Sequence, residues 1–280
     1  METTSPTPGP RVVVGVADTG ESDRAVRWGA DHAARAGGSL HLVHAFVWPL
    51  MGVDVDPVPG ISGSGLRVAA ERLLETAADR ARELAPDLPV TTEVRDGRAV
   101  DVLLELSAEA DIISVGNRGL GRVLAMVLGS SSLVLARRSR CPVVVVRGEE
   151  LTDGPVGLMY EGSDHGVRAM HRAGALADLY GTAVHVVIGI QTPPREYLRI
   201  LRTVTAVVHH DHPGVAVRLA DIPAAADARH LIEASTGSRI VVVTPRRPDA
   251  PSAAKQTASV LQLADTPVWI ERSGEDPEVA

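Results

Sequence analysis

The chain has 280 residues, 45% of them hydrophobic and only 2% aromatic, with a formal net charge of −7. That length suits two compact units of about 140 residues, and cores built from Val, Leu, Ile and Ala suit parallel sheets buried on both faces. The acidic balance offers no long-range pull toward nucleic acid or an anionic membrane; no stretch reaches the roughly 18 apolar residues of a membrane span, and a single cysteine, Cys141, excludes an intrachain disulfide framework.

The Thr- and Pro-rich residues 1–10 read as a disordered tail. They have neither a charged n-region nor an apolar h-region, so no signal peptide is expected and the expected compartment is the cytoplasm. Val12–Val16 reads as a strand, and Ser22 opens an amphipathic helix to about Ala36 that Gly37-Gly38 closes. Leu40–Val47 is a second strand. The Pro-, Gly- and Asp-rich run from Pro49 to Gly65 reads as a long excursion loop, a feature uncommon without a function. A helix from about Leu66 to Leu84, a strand near Val90–Arg95, a turn at Gly97 and a helix over Ala99–Glu109 follow. Ile112–Val115, a helix over Ser130–Arg138 and a strand at Val143–Val146 complete an alternation of strands and helices. That order predicts a doubly wound, mostly parallel α/β sheet of five strands.

The pattern then restarts. Pro155–Ser163 parallels the first strand and its turn, and Val167–Tyr180 is a helix closed by Gly181. Ala183–Ile190, a helix at Tyr197–His209, Val215–Leu219 and a helix at Ala225–Ala234 follow. Ile240–Val243 and Pro267–Ile270 parallel Ile112–Val115 and Pro142–Val146. A period of roughly 125–145 residues means domain duplication and not a solenoid. The expected division is a first domain over 11–148, a linker over 149–154, a second domain over 155–272 and a tail over 273–280.

Chemistry concentrates in the first copy. Gly116-Asn117-Arg118-Gly119 follows the apolar strand directly, and Gly129-Ser130-Ser131-Ser132 opens the next helix. Glycines allow close backbone approach, and hydroxyls at a helix start lie where anions bind. The order of strand, glycine loop, hydroxyl cluster and helix points to a phosphate cradle. An ordinary βα loop with capping serines uses the same residues.

These residues resemble the nucleotide-binding motif of the universal stress protein family, G-x2-G-x9-G-[ST], with no gap in the spacing. Arg11–Val16 looks like that family's first strand, and Arg140–Val146 like its last. The resemblance is strong over residues 10–148 and weak over 154–272. It implies an adenine nucleotide-binding fold. Phosphate and ribose contacts would fall on Gly116, Arg118, Gly119, Gly129, Ser130, Ser131 and Ser132, beside the strand end at Val115. Adenine would meet backbone near Val16 and Ala45. Where binding members carry an acidic residue after the first strand, this chain has Ala17 followed by Asp18. A one-residue step reverses side-chain direction in an extended segment, so Asp18 would substitute only if the loop shifts.

The second copy lacks the cradle: Thr244-Pro245-Arg246-Arg247-Pro248 and Ala254-Lys255 stand in the corresponding places. It reads as a degenerate copy that keeps the fold. His209-His210-Asp211-His212 is the densest group of metal-ligand types, yet adjacent residues rarely converge on one ion, and no metal site is expected. His44 reads as a core or sheet-end histidine and Cys141 as packing. There is no P-loop, GxGxxG fingerprint or G-x-S-x-G elbow, so no enzyme is expected. The resemblance thus implies a tandem universal stress protein that binds ATP, with Mg left open, in its first half. It would act as a stress-responsive sensor with unknown protein partners. Its final strands, Val143–Val146 and Val268–Ile270, would pair as an intrachain pseudo-dimer, with a homodimer also open. The rivals are a nucleotide-free scaffold and a weak ATPase.

Overall fold

The computed structural model describes residues 9–46, 64–117, 130–148, 153–160, 166–188, 194–220, 236–243 and 264–272. The chain divides into two units, 1–123 and 124–280. Most of the Pro49–Gly65 loop, the helix expected at 225–234, and the residues standing for the cradle in the second copy lie outside the described residues.

In the first unit, β1 (Arg11–Gly15) pairs in parallel with β2 (Ser39–Phe46) on one side and β4 (Ile112–Gly116) on the other. Beyond β2 lies β3 (Val90–Asp96), also parallel, giving the order β3-β2-β1-β4. Val12, Val13 and Val14 are fully buried, as parallel strands covered on both faces require. Successive side chains alternate between faces. Val12 and Val14 meet α1 (Gly20–Arg35) at Gly29, where a β-carbon would come within 2.7 Å of Val14 Cγ2. Gly15 turns the other way, toward Leu103 of α3 (Ala99–Leu106). α2 (Ser64–Leu84) packs on α1, β2 and β3.

Helix ends follow their capping chemistry. Thr19 caps α1, its Oγ1 accepting from Ser22 N at 3.2 Å. Gly37, at φ 64°, ends the helix, with Gly38 N donating to Ala33 O and Gly37 N to Ala34 O. Those are the two bonds of a Schellman cap. The helix starts before Ser22, the expected opening residue. The Ser22 hydroxyl lies inside the first turn and accepts from Ala17 N at 2.8 Å.

The second unit holds α4 (Ser130–Arg138), β5 (Val143–Val146), β6 (Val156–Tyr160), α5 (Val167–Tyr180), β7 (Val184–Ile188), α6 (Tyr197–Asp211), β8 (Val217–Leu219), β9 (Ile240–Val243) and β10 (Val268–Ile270). The strand order is β5-β10-β9-β6-β7-β8, parallel from β10 onward. β5 and β10 pair antiparallel, with Trp269 opposite Val144, as expected of the two terminal strands. Through that pairing β5, the fifth strand of the first repeat, belongs in space to the second unit. Buried Glu271 tethers β10 to α5: its Oε2 accepts from Trp269 Nε1 and Arg172 Nε, both at 3.0 Å. No described helix is long and apolar enough to cross a membrane.

Candidate functional site

A parallel α/β sheet opens a crevice beyond the carboxyl ends of its strands, where adjacent connections leave in opposite directions. In the first unit β1 and β4 are neighbours whose helices, α1 and α3, lie on opposite faces. A cleft of about 430 Å³, open solvent included, occupies that place. Its walls are Gly15–Ala17 from β1 and its turn, Val43–Ala45 from β2, Val115 and Gly116 from β4, and the first turns of α3. Of the positions expected to hold a nucleotide, Val16, Ala17, Ala45, Val115 and Gly116 are therefore brought together.

The turn between β1 and α1 is fixed from inside. Val16 N extends the sheet by donating to Val43 O at 2.8 Å, and Thr19 N closes on Ala17 O at 2.8 Å. Ala17 N is held by the buried Ser22 hydroxyl. Ala17, so fixed, is part of the cleft wall. Asp18 is exposed, does not line the cleft, and makes no hydrogen bond or ion pair among the described residues. The loop has not shifted to bring Asp18 into the place of Ala17.

Gly116 has a reason to be glycine that is independent of any ligand. A β-carbon there would lie 2.6 Å from both C and O of Glu21 and 2.9 Å from Ser22 N. The first glycine of the motif thus lets β4 approach the start of α1. At Gly15 the added carbon would meet only side chains, Leu103 Cδ1 at 3.2 Å and Val115 Cγ1 at 3.4 Å.

Arg118, Gly119 and Gly129 lie outside the described residues, and Ser130, Ser131 and Ser132 form the first turn of α4 in the second unit. Two parts of the cleft were not expected from sequence. One is the α3 wall of Ala99, Val102 and Leu103. The other is His44, read as a sheet-end histidine, which is half-buried, lines the cleft, and lies 2.9 Å through Nδ1 from the Val16 carbonyl. Its place at the carboxyl end of β2, one residue before Ala45, is the signal that would have found it.

The histidine-rich turn resolves into separate contacts. His209 Nε2 bonds Val215 O, His212 Nδ1 bonds Asp178, and Asp211 bonds His171 on α5. Among the described residues no three metal-ligand side chains converge. Cys141 is buried and in no disulfide, its Sγ 3.6 Å from Ser139 Oγ.

The sequence itself matches the model of the universal stress protein family over residues 10–147. The first half of this chain belongs to the universal stress protein family. It is 34% identical over 144 residues to a universal stress protein of Mycolicibacterium smegmatis, covering 50% of this chain and 48% of that protein. A universal stress protein of Mycobacterium tuberculosis is 34% identical over 136 residues, with 49% and 45% covered. The matched stretch spans about half the length of these curated relatives. The crystal structure of a universal stress protein from Archaeoglobus fulgidus, only 17% identical, superposes with a TM-score of 0.72 over 96% of this chain and 98% of that one. At that identity the likeness is one of fold, and it covers the second half as well as the first.

Proposed function

We propose that the universal stress protein domain in the first half binds one adenine nucleotide, ATP before others, in the cleft at the ends of β1, β2 and β4. The observation that carries this is the convergence of Val16, Ala17, Ala45, Val115 and Gly116 on one cleft. Those residues are far apart in sequence, and the glycine motif leaves from Gly116 at its edge. The apolar walls suit a base, and the glycine motif that resembles the family's phosphate-binding sequence begins at Gly116 on the edge of the cleft. The nucleotide is a bound signal in this reading and not a substrate, and its occupancy regulates the association of the protein with partners under stress.

Calorimetry with ATP on the full chain tests the proposal. One site per chain is expected. Two equivalent sites, or no heat and no nucleotide released from the denatured protein in mass spectrometry, would overturn it. A second reading, a nucleotide-free scaffold of the same fold, is favoured by Ala17, whose methyl offers nothing to a ribose. Absence of binding would select it. Steady release of phosphate from ATP would select the third, a slow ATPase.

A further inference from the structure

Apolar clefts gain selectivity from the few polar groups they place on a ligand. Among the described residues lining this one, every side chain is Gly, Ala, Val or Leu except His44. Its hydrogen-bonding state is set by the fold. Nδ1 lies 2.9 Å from the carbonyl oxygen of Val16. A carbonyl only accepts, so Nδ1 carries the proton, and in the neutral ring Nε2 is left as an acceptor. Nε2 has no partner among the described residues. The side chain is thus held by one nitrogen and has the other to offer.

We infer that His44 is a specificity-determining residue of the cleft, whose Nε2 accepts a hydrogen bond from the exocyclic amine of a 6-aminopurine. The inference rests on the nucleotide reading above and deepens it by naming the part of the ligand that is read. Adenine carries one hydrogen-bond donor on its base edge, the 6-amino group. A base with hydrogen in its place has the same shape and leaves Nε2 buried against it without a partner. A site built to hydrogen-bond a ligand group rejects the analogue that lacks it more strongly than an apolar pocket rejects a small change in size. Without an acidic residue at Ala17, no other described side chain in the cleft can share this task.

The test compares ATP with purine riboside triphosphate, which lacks only the amine, by calorimetry on the full chain. The wild type should prefer ATP by about tenfold. His44→Asn keeps a donor near Nδ1 for the Val16 carbonyl and provides nothing where Nε2 was, so it should bind the two ligands alike, with the loss falling on ATP. A histidine that merely supports the strand would weaken both ligands by one factor and leave their ratio unchanged, which would overturn the inference. A wild type that binds both equally would overturn it without any variant, while leaving the nucleotide reading intact. A wild type that binds neither would overturn both. Loss of affinity for 2′-deoxy-ATP in place of the amine effect would move the contact to the ribose and refute a role for His44 in reading the base.

Discussion

Gly116→Ala separates two explanations of the first motif glycine, close approach of a ligand and close approach of a helix. The added β-carbon would lie 2.6 Å from Glu21 C and O and 2.9 Å from Ser22 N. Carbon contacts are at their optimum near 3.5–4.0 Å, so roughly 1 Å of separation is missing. All three neighbouring atoms are backbone and cannot rotate aside. Either α1 or β4 must move, and β4 is buried along its whole length. Overpacking of this kind costs about 1–3 kcal/mol, or a fall in melting temperature of about 3–10 °C. The moved turn carries Ser22, which holds Ala17 N, so the cleft would deform as a consequence. The assay is thermal unfolding without nucleotide, with Gly20→Ala as the control. Gly20 has nothing within 4 Å of an added β-carbon, and its replacement should change stability by no more than about 0.5 kcal/mol. If ligand-free Gly116→Ala melts with the wild type and loses only nucleotide affinity, the helix-packing explanation is refuted.

Ala17→Asp should tighten ATP binding by one charged hydrogen bond, about 1.5–3 kcal/mol at most, or about ten- to a hundredfold in Kd. Asp18→Ala should leave Kd unchanged because Asp18 does not line the cleft, and titration of both variants at fixed salt and magnesium checks the pair. Burial, aided by the nearby Arg11 and Arg95, lowers the pKa of His41 from 6.5 despite its bond to Glu93. Burial and then Arg218 do the same to His185. In both, the charged form is disfavoured in the folded state, so the unfolded chain binds more protons as pH falls through 6.5 and these two groups lower stability there. Urea unfolding at about pH 7.5 and about pH 5.5 should show the lower midpoint in acid, with a smaller drop for His41→Asn; a rise on acidification would reverse the sign. Glu271→Ala removes the acceptor shared by Trp269 Nε1 and Arg172 Nε. It should destabilise the second unit by about 2–3 kcal/mol, read as an earlier tryptophan fluorescence transition in urea.

Local rules made much of this fold legible in the sequence. The end of α1 at Gly37 and of α5 at Gly181 (φ 65°) could be read because a left-handed residue after a helix almost demands glycine. Runs of Val and Ile marked β5 and β9 because strands buried on both faces leave no polar alternation to misread, and β4 was read the same way despite its buried Ser114. Side chains acting over a few residues were harder. α3 stops at Leu106, short of Glu109, where Ser107 Oγ bonds Leu104 O and the backbone tightens into turns. α6 runs on to Asp211, its end held by contacts with α5 that only the tertiary structure supplies. In the cleft, the strand-end positions followed from topology and resemblance. His44 could have been found from its strand-end position, but the carbonyl that claims its Nδ1 and the helix wall of Ala99, Val102 and Leu103 are set by tertiary packing alone.

The antiparallel joint between β5 and β10 also has a consequence for synthesis. Val143–Val146 emerges from the ribosome long before Val268–Ile270, and its four valines form an apolar strand whose backbone awaits a partner. Contacts between residues so distant in sequence form late, and an unpaired valine edge is a template for pairing with another chain. The nascent protein therefore passes through an interval in which one edge of four valines is waiting for its last strand. A chain ending before residue 264 would never leave that interval and should aggregate during expression, whatever the state of its nucleotide cleft.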